Sequence, residues 1–174
     1  MKKKKYFFSV IIPLYNSKLF LNKTIKSLLN QKMRDIEIIL INDYSRDNSL
    51  MICKKFQKFN KNIVIINNKR NIGPGGSRNN GIKVAKGKYI IFLDSDDFII
   101  RKSLIDLKKN IINNKYPSLV VSDSNRGSKK KNNVFLNHFK GKVYSKHEFL
   151  TKLLKNKIFI NDCWNVIIKT TPKI

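Results

Sequence analysis

The chain has 174 residues, 41% of them hydrophobic, with 7 Gly and 4 Pro, which suits one compact domain with a real core and excludes both a disordered chain and two ordinary domains. Its 37 basic residues against 11 acidic ones leave a formal charge of +26, but the excess is mainly Lys spread along the whole chain, with Arg only at Arg34, Arg46, Arg70, Arg78, Arg101 and Arg126. Phosphates and base edges are read best by the bidentate guanidinium, so this pattern argues against a dedicated nucleic-acid role and leaves attraction to anionic membrane surfaces or to nucleotide phosphates open.

The basic start Met1 to Lys5 leads into Phe7 to Ile12, which Pro13 interrupts. That apolar run is too short to span a bilayer and lacks a small-residue cleavage site, so the expectation is a cytoplasmic protein. The run itself is a predicted buried strand. From Leu19 the positions Leu19, Phe20, Ile25, Leu28 and Leu29 recur at helical spacing. Ile36 to Ile41 forms a second predicted strand, followed by a helix opened by Asp47 or Ser49 and carried by Leu50, Cys53, Phe56 and Phe59. Ile63 to Ile66 is a third strand, and the loop from Asn71 to Gly76 precedes a helix from about Ser77 to Ala85.

Tyr89 to Leu93 is a fourth strand, Ser103 to Ile112 a helix, and Ser118 to Ser122 a further strand. Residues 125 to 133 have no periodicity and are expected as an exposed loop; Ser145 to Glu148 has the form of a capping box opening a helix to about Leu154. Trp164 to Ile168 is expected as a last strand. Strands alternating with helices at this spacing predict an α/β fold with a doubly wound, mostly parallel sheet covered on both faces. Cys53 and Cys163 lie far apart, and His138 and His147 stand apart from both, so no zinc site or disulfide framework is expected and the thiols are expected reduced and packed.

Asp94-Ser95-Asp96-Asp97 follows directly on the fourth strand. Carboxylates this close repel one another, and a hard divalent cation reverses that cost while leaving positions for phosphate oxygens. The competing reading is an acidic helix N-cap. The glycine loop from Gly73 matches neither dinucleotide fingerprint nor P-loop, because Arg78 stands at the third glycine position and no Gly-Lys-Ser or Gly-Lys-Thr occurs. It leaves a glycine loop before a helix with Arg78 in its first turn, a reasonable place to meet an anion. Asp43, at the end of the second strand, could accept hydrogen bonds from a base or ribose, or cap its turn through Ser45; Tyr15, just past the first, offers a face for stacking.

Taken together, Val10-Ile11-Ile12-Pro13-Leu14-Tyr15-Asn16, Ile41-Asn42-Asp43, Gly73-Pro74-Gly75-Gly76-Ser77-Arg78 and Phe92-Leu93-Asp94-Ser95-Asp96-Asp97 resemble, in order and spacing, the amino-terminal half of family 2 glycosyltransferases. The resemblance implies the GT-A fold, a Rossmann-like α/β architecture, in a single domain whose residues 6 to 112 bind the nucleotide-sugar and whose residues 113 to 174 begin the acceptor half. It implies inverting transfer from a UDP-sugar to a glycan or lipid-linked acceptor in cell-surface polysaccharide synthesis, with Mg²⁺ or Mn²⁺ as cofactor. Pro13 and Tyr15 would line the base pocket, Asp43 would accept from the base, Arg78 would lie near the base or diphosphate, and Asp94 near the ribose. Asp96 would bind the metal through the donor's diphosphate, and Asp97 would support the cluster or cap the next helix.

Two departures stand out. Tyr44 replaces the family's glycine after Asp43, where positive φ is usual. Past Trp164-Asn165 no acid follows, so the family's base position is unmatched; Asp162 is the weak candidate, and a chain truncated at its carboxyl end is expected. Three readings therefore stand side by side: a working transferase, a truncated nucleotide-sugar-binding domain that transfers little or nothing, and a basic α/β domain that binds nucleic acid. Oligomeric state is open, and peripheral association with the inner face of an anionic membrane fits the charge.

Overall fold

A computed structural model describes residues 6–121, 125–126, 134–136 and 166–170. The elements run β1 (Tyr6–Leu14), α1 (Leu21–Leu29), β2 (Ile36–Asn42), α2 (Ser49–Phe59), β3 (Ile63–Asn67), α3 (Gly73–Val84), β4 (Gly87–Phe92), β5 (Phe98–Ile99), α4 (Ser103–Asn113), β6 (Leu119–Val121), β7 (Asn125–Arg126), β8 (Val134–Leu136) and β9 (Val166–Lys169). The main sheet has the order β3-β2-β1-β4-β9-β6. Its first four strands are parallel, and β9 is antiparallel to both neighbours. A small sheet, β5-β8-β7, stands beside it.

Parallel strands buried on both faces need near-continuous apolar sequence, and β1, β2 and β4 supply it. One face carries Val10, Ile12, Ile38, Leu40, Tyr89 and Ile91, packed with Leu21, Ile25 and Leu28 of α1 and Leu104, Leu107 and Ile111 of α4. The other face carries Ile11, Ile39, Ile41, Ile90 and Phe92. There α3 presses close through Gly81, where a Cβ would come within 2.5 Å of Ile11 Cγ2. Cys53 is buried in the core, and burial pushes its thiol up to about 12.

Several expected boundaries shift. Leu19 is 77% and Phe59 75% exposed, so neither belongs to its helix's core stripe. The third helix starts at Gly73, four residues before the expected Ser77, because Pro74 suits the first turn, where its missing N–H has no partner to lose. Arg78 therefore stands in the second turn. The stretch expected as loop from residue 125 contributes the two-residue strand β7. The capping-box helix, Cys163, both histidines and Asp162 lie outside the described residues.

At the amino edge of the sheet the Glu37 side chain is buried. Its Oε1 accepts hydrogen bonds from Ser9 Oγ at 2.6 Å and from the backbone N–H groups of Lys86 and Gly87. Gly87 has no room for a side chain, since a Cβ would lie 2.5 Å from the Ser9 backbone nitrogen. Among the described residues no helix is long and apolar enough to cross a membrane.

Candidate functional site

The four parallel strands end on one edge, and the residues that follow them converge there. Pro13 near the end of β1, which runs on through it to Leu14 instead of stopping at Ile12, Tyr15 just after that strand, Asp43 after β2, Gly73, Pro74 and Arg78 on α3, and Asp94 and Asp96 after β4 all line one cavity of about 360 Å³. The amino end of α3 opens on it, adding the positive end of a helix dipole.

Asp43 is buried, and only its Oδ1 is engaged among the described residues. That oxygen accepts from Asn68 Nδ2 and from the Ile72 backbone N–H, each at 2.9 Å. The carboxylate thus anchors the segment entering α3 and keeps Oδ2 for the cavity. It does not cap its turn through Ser45, whose Oγ accepts the Asn16 N–H instead. Asn68 also donates to Ser77 Oγ and accepts from Asn80, tying the end of β3 to α3.

Tyr44 sits at φ +61°, a left-handed conformation that a glycine would adopt freely, and its side chain is half exposed. A non-glycine residue there costs about 1–2 kcal/mol, and glycine returns part of that through unfolded-state entropy. Tyr44→Gly is therefore expected to stabilise the fold by about 0.5–1 kcal/mol. The reading is a higher midpoint in urea denaturation with an unchanged slope; a lowered midpoint would show that the tyrosine ring holds the turn.

Arg78 and Asp94 form an ion pair, Nη2 to Oδ1 at 2.6 Å, while the Arg78 Nε is buried with no partner. The guanidinium is thus only partly satisfied, with its buried Nε left unpaired among the described residues. Asp96 is exposed and takes part in none of the hydrogen bonds or ion pairs among the described residues. Asp97 donates its N–H to the Asp94 carbonyl, closing a turn that leads to β5, and α4 starts only at Ser103. The acid cluster is therefore no helix cap.

Hydroxyls invisible as site residues from sequence hold this turn. Ser17 Oγ lies 2.7 Å from Ser95 Oγ, and Thr24 Oγ1 donates to the Ser95 carbonyl at 2.8 Å. Ser17 in turn donates its N–H to Ser49 Oγ, so the starts of α1 and α2 brace the turn together. Thr24, a polar residue inside the apolar stripe of α1, was the available signal. Asp47 accepts the N–H groups of Lys18 and Ser49. Partial burial works to raise its pKa, but these hydrogen bonds outweigh it and hold the carboxyl below 3.8. That contribution to stability is present above the ordinary value and is lost as pH falls through the lowered one.

The donor set suits a hard divalent cation shared with a ligand. Among the described residues no three His, Cys, Asp or Glu side chains group to cage a metal. One free carboxylate, Asp96, with a diphosphate and water completing the shell is the arrangement expected where Mg²⁺ or Mn²⁺ is bound through phosphates.

The family model described as Glycosyl transferase family 2 matches residues 9–170, and the chain belongs to that family. It is 45% identical over 100 residues to a poly(ribitol-phosphate) beta-glucosyltransferase of Bacillus spizizenii, covering 56% of this chain and 16% of that protein. It is 32% identical over 168 residues to the GalNAc(5)-diNAcBac-PP-undecaprenol beta-1,3-glucosyltransferase of Campylobacter jejuni, covering 87% of this chain and 54% of that protein. The chain thus spans from about a sixth to about half of these two relatives. S. aureus TarS 1-349 in complex with UDP superposes with a TM-score of 0.65 at 28% identity, over 72% of this chain and 37% of that one. The fold is GT-A.

Proposed function

We propose that the cavity binds a UDP-sugar together with Mg²⁺ or Mn²⁺, as the donor site of an inverting glycosyltransferase acting in cell-surface polysaccharide synthesis. What carries the reading is the convergence of Pro13, Tyr15, Asp43, Arg78, Asp94 and Asp96 on one cavity at the carboxyl edge of the sheet. Tyr15 would stack on the base while Asp43 Oδ2 accepts its N–H. Arg78 would meet a ribose or diphosphate oxygen through its guanidinium, and Asp94, oriented by Arg78, would hold the ribose. Asp96 would hold the cation, which neutralises the charge that develops on the departing diphosphate.

Glycan or lipid-linked acceptors fit the relatives' names, one a poly(ribitol-phosphate) and the other a diphosphate-linked undecaprenol. Work at the cytoplasmic face of the membrane, with peripheral attachment through the basic surface, suits that chemistry.

A second reading, a nucleotide-sugar binder that transfers little, is favoured by one observation. The acids lining the cavity, Asp43, Asp94 and Asp96, all have donor-side roles, and inverting transfer needs a further base on the acceptor side. Asp162 is the proposed candidate. The test is UDP release from UDP-sugars with acceptor present: turnover above buffer that Asp162→Asn removes supports the transferase, and release equal to buffer alongside tight UDP binding supports the binder. No metal-dependent UDP binding at all would sink both.

A further inference from the structure

A second, larger cavity of about 930 Å³ lies between α1 and residues 98–101. Lys23 and Lys26 of α1, Lys32 just beyond it, and Arg101 after β5 line it with the amides of Asn22 and Asn30, and no carboxylate is among its lining residues. The contrast with the donor cavity is sharp, since that one is lined by three aspartates and a single arginine. Lys26, Lys32 and Arg101, which come from two chain segments to one concavity, repel one another, and an anion between them reverses that cost.

The two cavities have no lining residue in common, but one helix ties them together. Helix α1 carries Thr24, which holds the acid turn, and Lys23 and Lys26, which face the groove. Gln31 Nε2 donates to the Ile100 carbonyl and Ser27 Oγ accepts the Ile99 N–H, so the groove's second wall is fixed to the same helix. Phe98 of the groove stands two residues beyond Asp96, which places their Cα atoms within about 7.6 Å.

We propose that this groove binds successive phosphates of a phosphodiester acceptor chain and leads it toward the donor site; this rests on the donor reading above. A concave track admits a string of phosphates, whereas a bilayer presents a plane. The one aromatic ring among its lining residues, Phe98, carries Lys23 Nζ over one face at 3.9 Å from the ring centre, so a base stacking on that face would have to displace the ammonium.

The test uses the full chain and two triple variants of equal charge change: K26Q/K32Q/R101Q in the groove, and K54Q/K55Q/K58Q on the exposed face of α2. A glycerol-phosphate oligomer is titrated at about 0.1 M salt, where the screening length is about 10 Å. The groove variant is expected to weaken binding by about tenfold or more and the α2 variant by less than about threefold, with UDP–Mn²⁺ binding unchanged in both. Equal weakening in the two variants, or no oligomer binding by the parent chain, overturns the proposal. So does a groove variant that loses phosphatidylglycerol vesicles or single-stranded RNA while keeping the oligomer. Groove-specific loss of the oligomer in a chain that binds no UDP would support the groove as a phosphodiester site and overturn the donor reading alone.

Discussion

Asp96→Ala is expected to abolish the Mn²⁺ dependence of UDP binding and to leave thermal stability unchanged. Asp96 is exposed and bonded to nothing among the described residues, so the fold does not lean on it. Losing a charged contact of about 3 kcal/mol corresponds to roughly a hundredfold in Kd, and the weaker, metal-independent affinity left over would come from the base pocket. Asp94→Ala is expected to behave differently. It strips Arg78, a side chain only 19% exposed, of its one carboxylate partner among the described residues, so both UDP affinity and stability should fall. Calorimetric titration with and without Mn²⁺, paired with thermal melts, separates the two. An Asp96→Ala chain that binds UDP–Mn²⁺ as tightly as the parent would remove the metal assignment.

The largest expected effect on stability lies at the opposite edge of the sheet. Glu37→Ala would leave the Ser9 hydroxyl and the N–H groups of Lys86 and Gly87 without their shared acceptor, in a place that water does not reach freely. Each unsatisfied buried donor costs about 1–3 kcal/mol, so a loss of at least about 3 kcal/mol is expected, with Glu37→Gln milder because it keeps an acceptor oxygen. The network joins β1, β2 and the entry to β4, with Ser9 opposite Glu37 in one register and Ile90 in the other. A slip of one residue in β4 would turn Asp94 and Asp96 to the wrong faces. Denaturant titration measures the cost, and a Glu37→Ala chain within about 1 kcal/mol of the parent would show that Ser9 Oγ, itself an acceptor for Gly87, suffices.

Much of this was legible in the residues. The four buried strands announced themselves as apolar runs, and parallel strands end on one edge, so ligand-type groups at four strand ends had to lie near one another. The start of α3 was hidden because Gly-Pro-Gly-Gly resembles a loop when read alone and a helical first turn only when Asp43 holds Ile72 in front of it. Strand β5, with two residues, is too short for any period to register. The antiparallel entry of β9 between β4 and β6 depends on pairing over about eighty residues of separation from β4 and about fifty from β6, which no local pattern encodes. Ser17, Thr24 and Asn68 escaped for a different reason: a hydroxyl or amide that braces a site has the same sequence appearance as one that faces solvent.

The bracing of the acid turn has a practical consequence. Ser17, Ser95 and Thr24 hold it through neutral hydroxyl and carbonyl groups, whose hydrogen bonds are not screened by dissolved ions. Concentrated electrolyte should therefore wash charge-bound ligands off this protein without unmaking the loop that receives them, so that removal and reloading become reversible operations on one and the same scaffold.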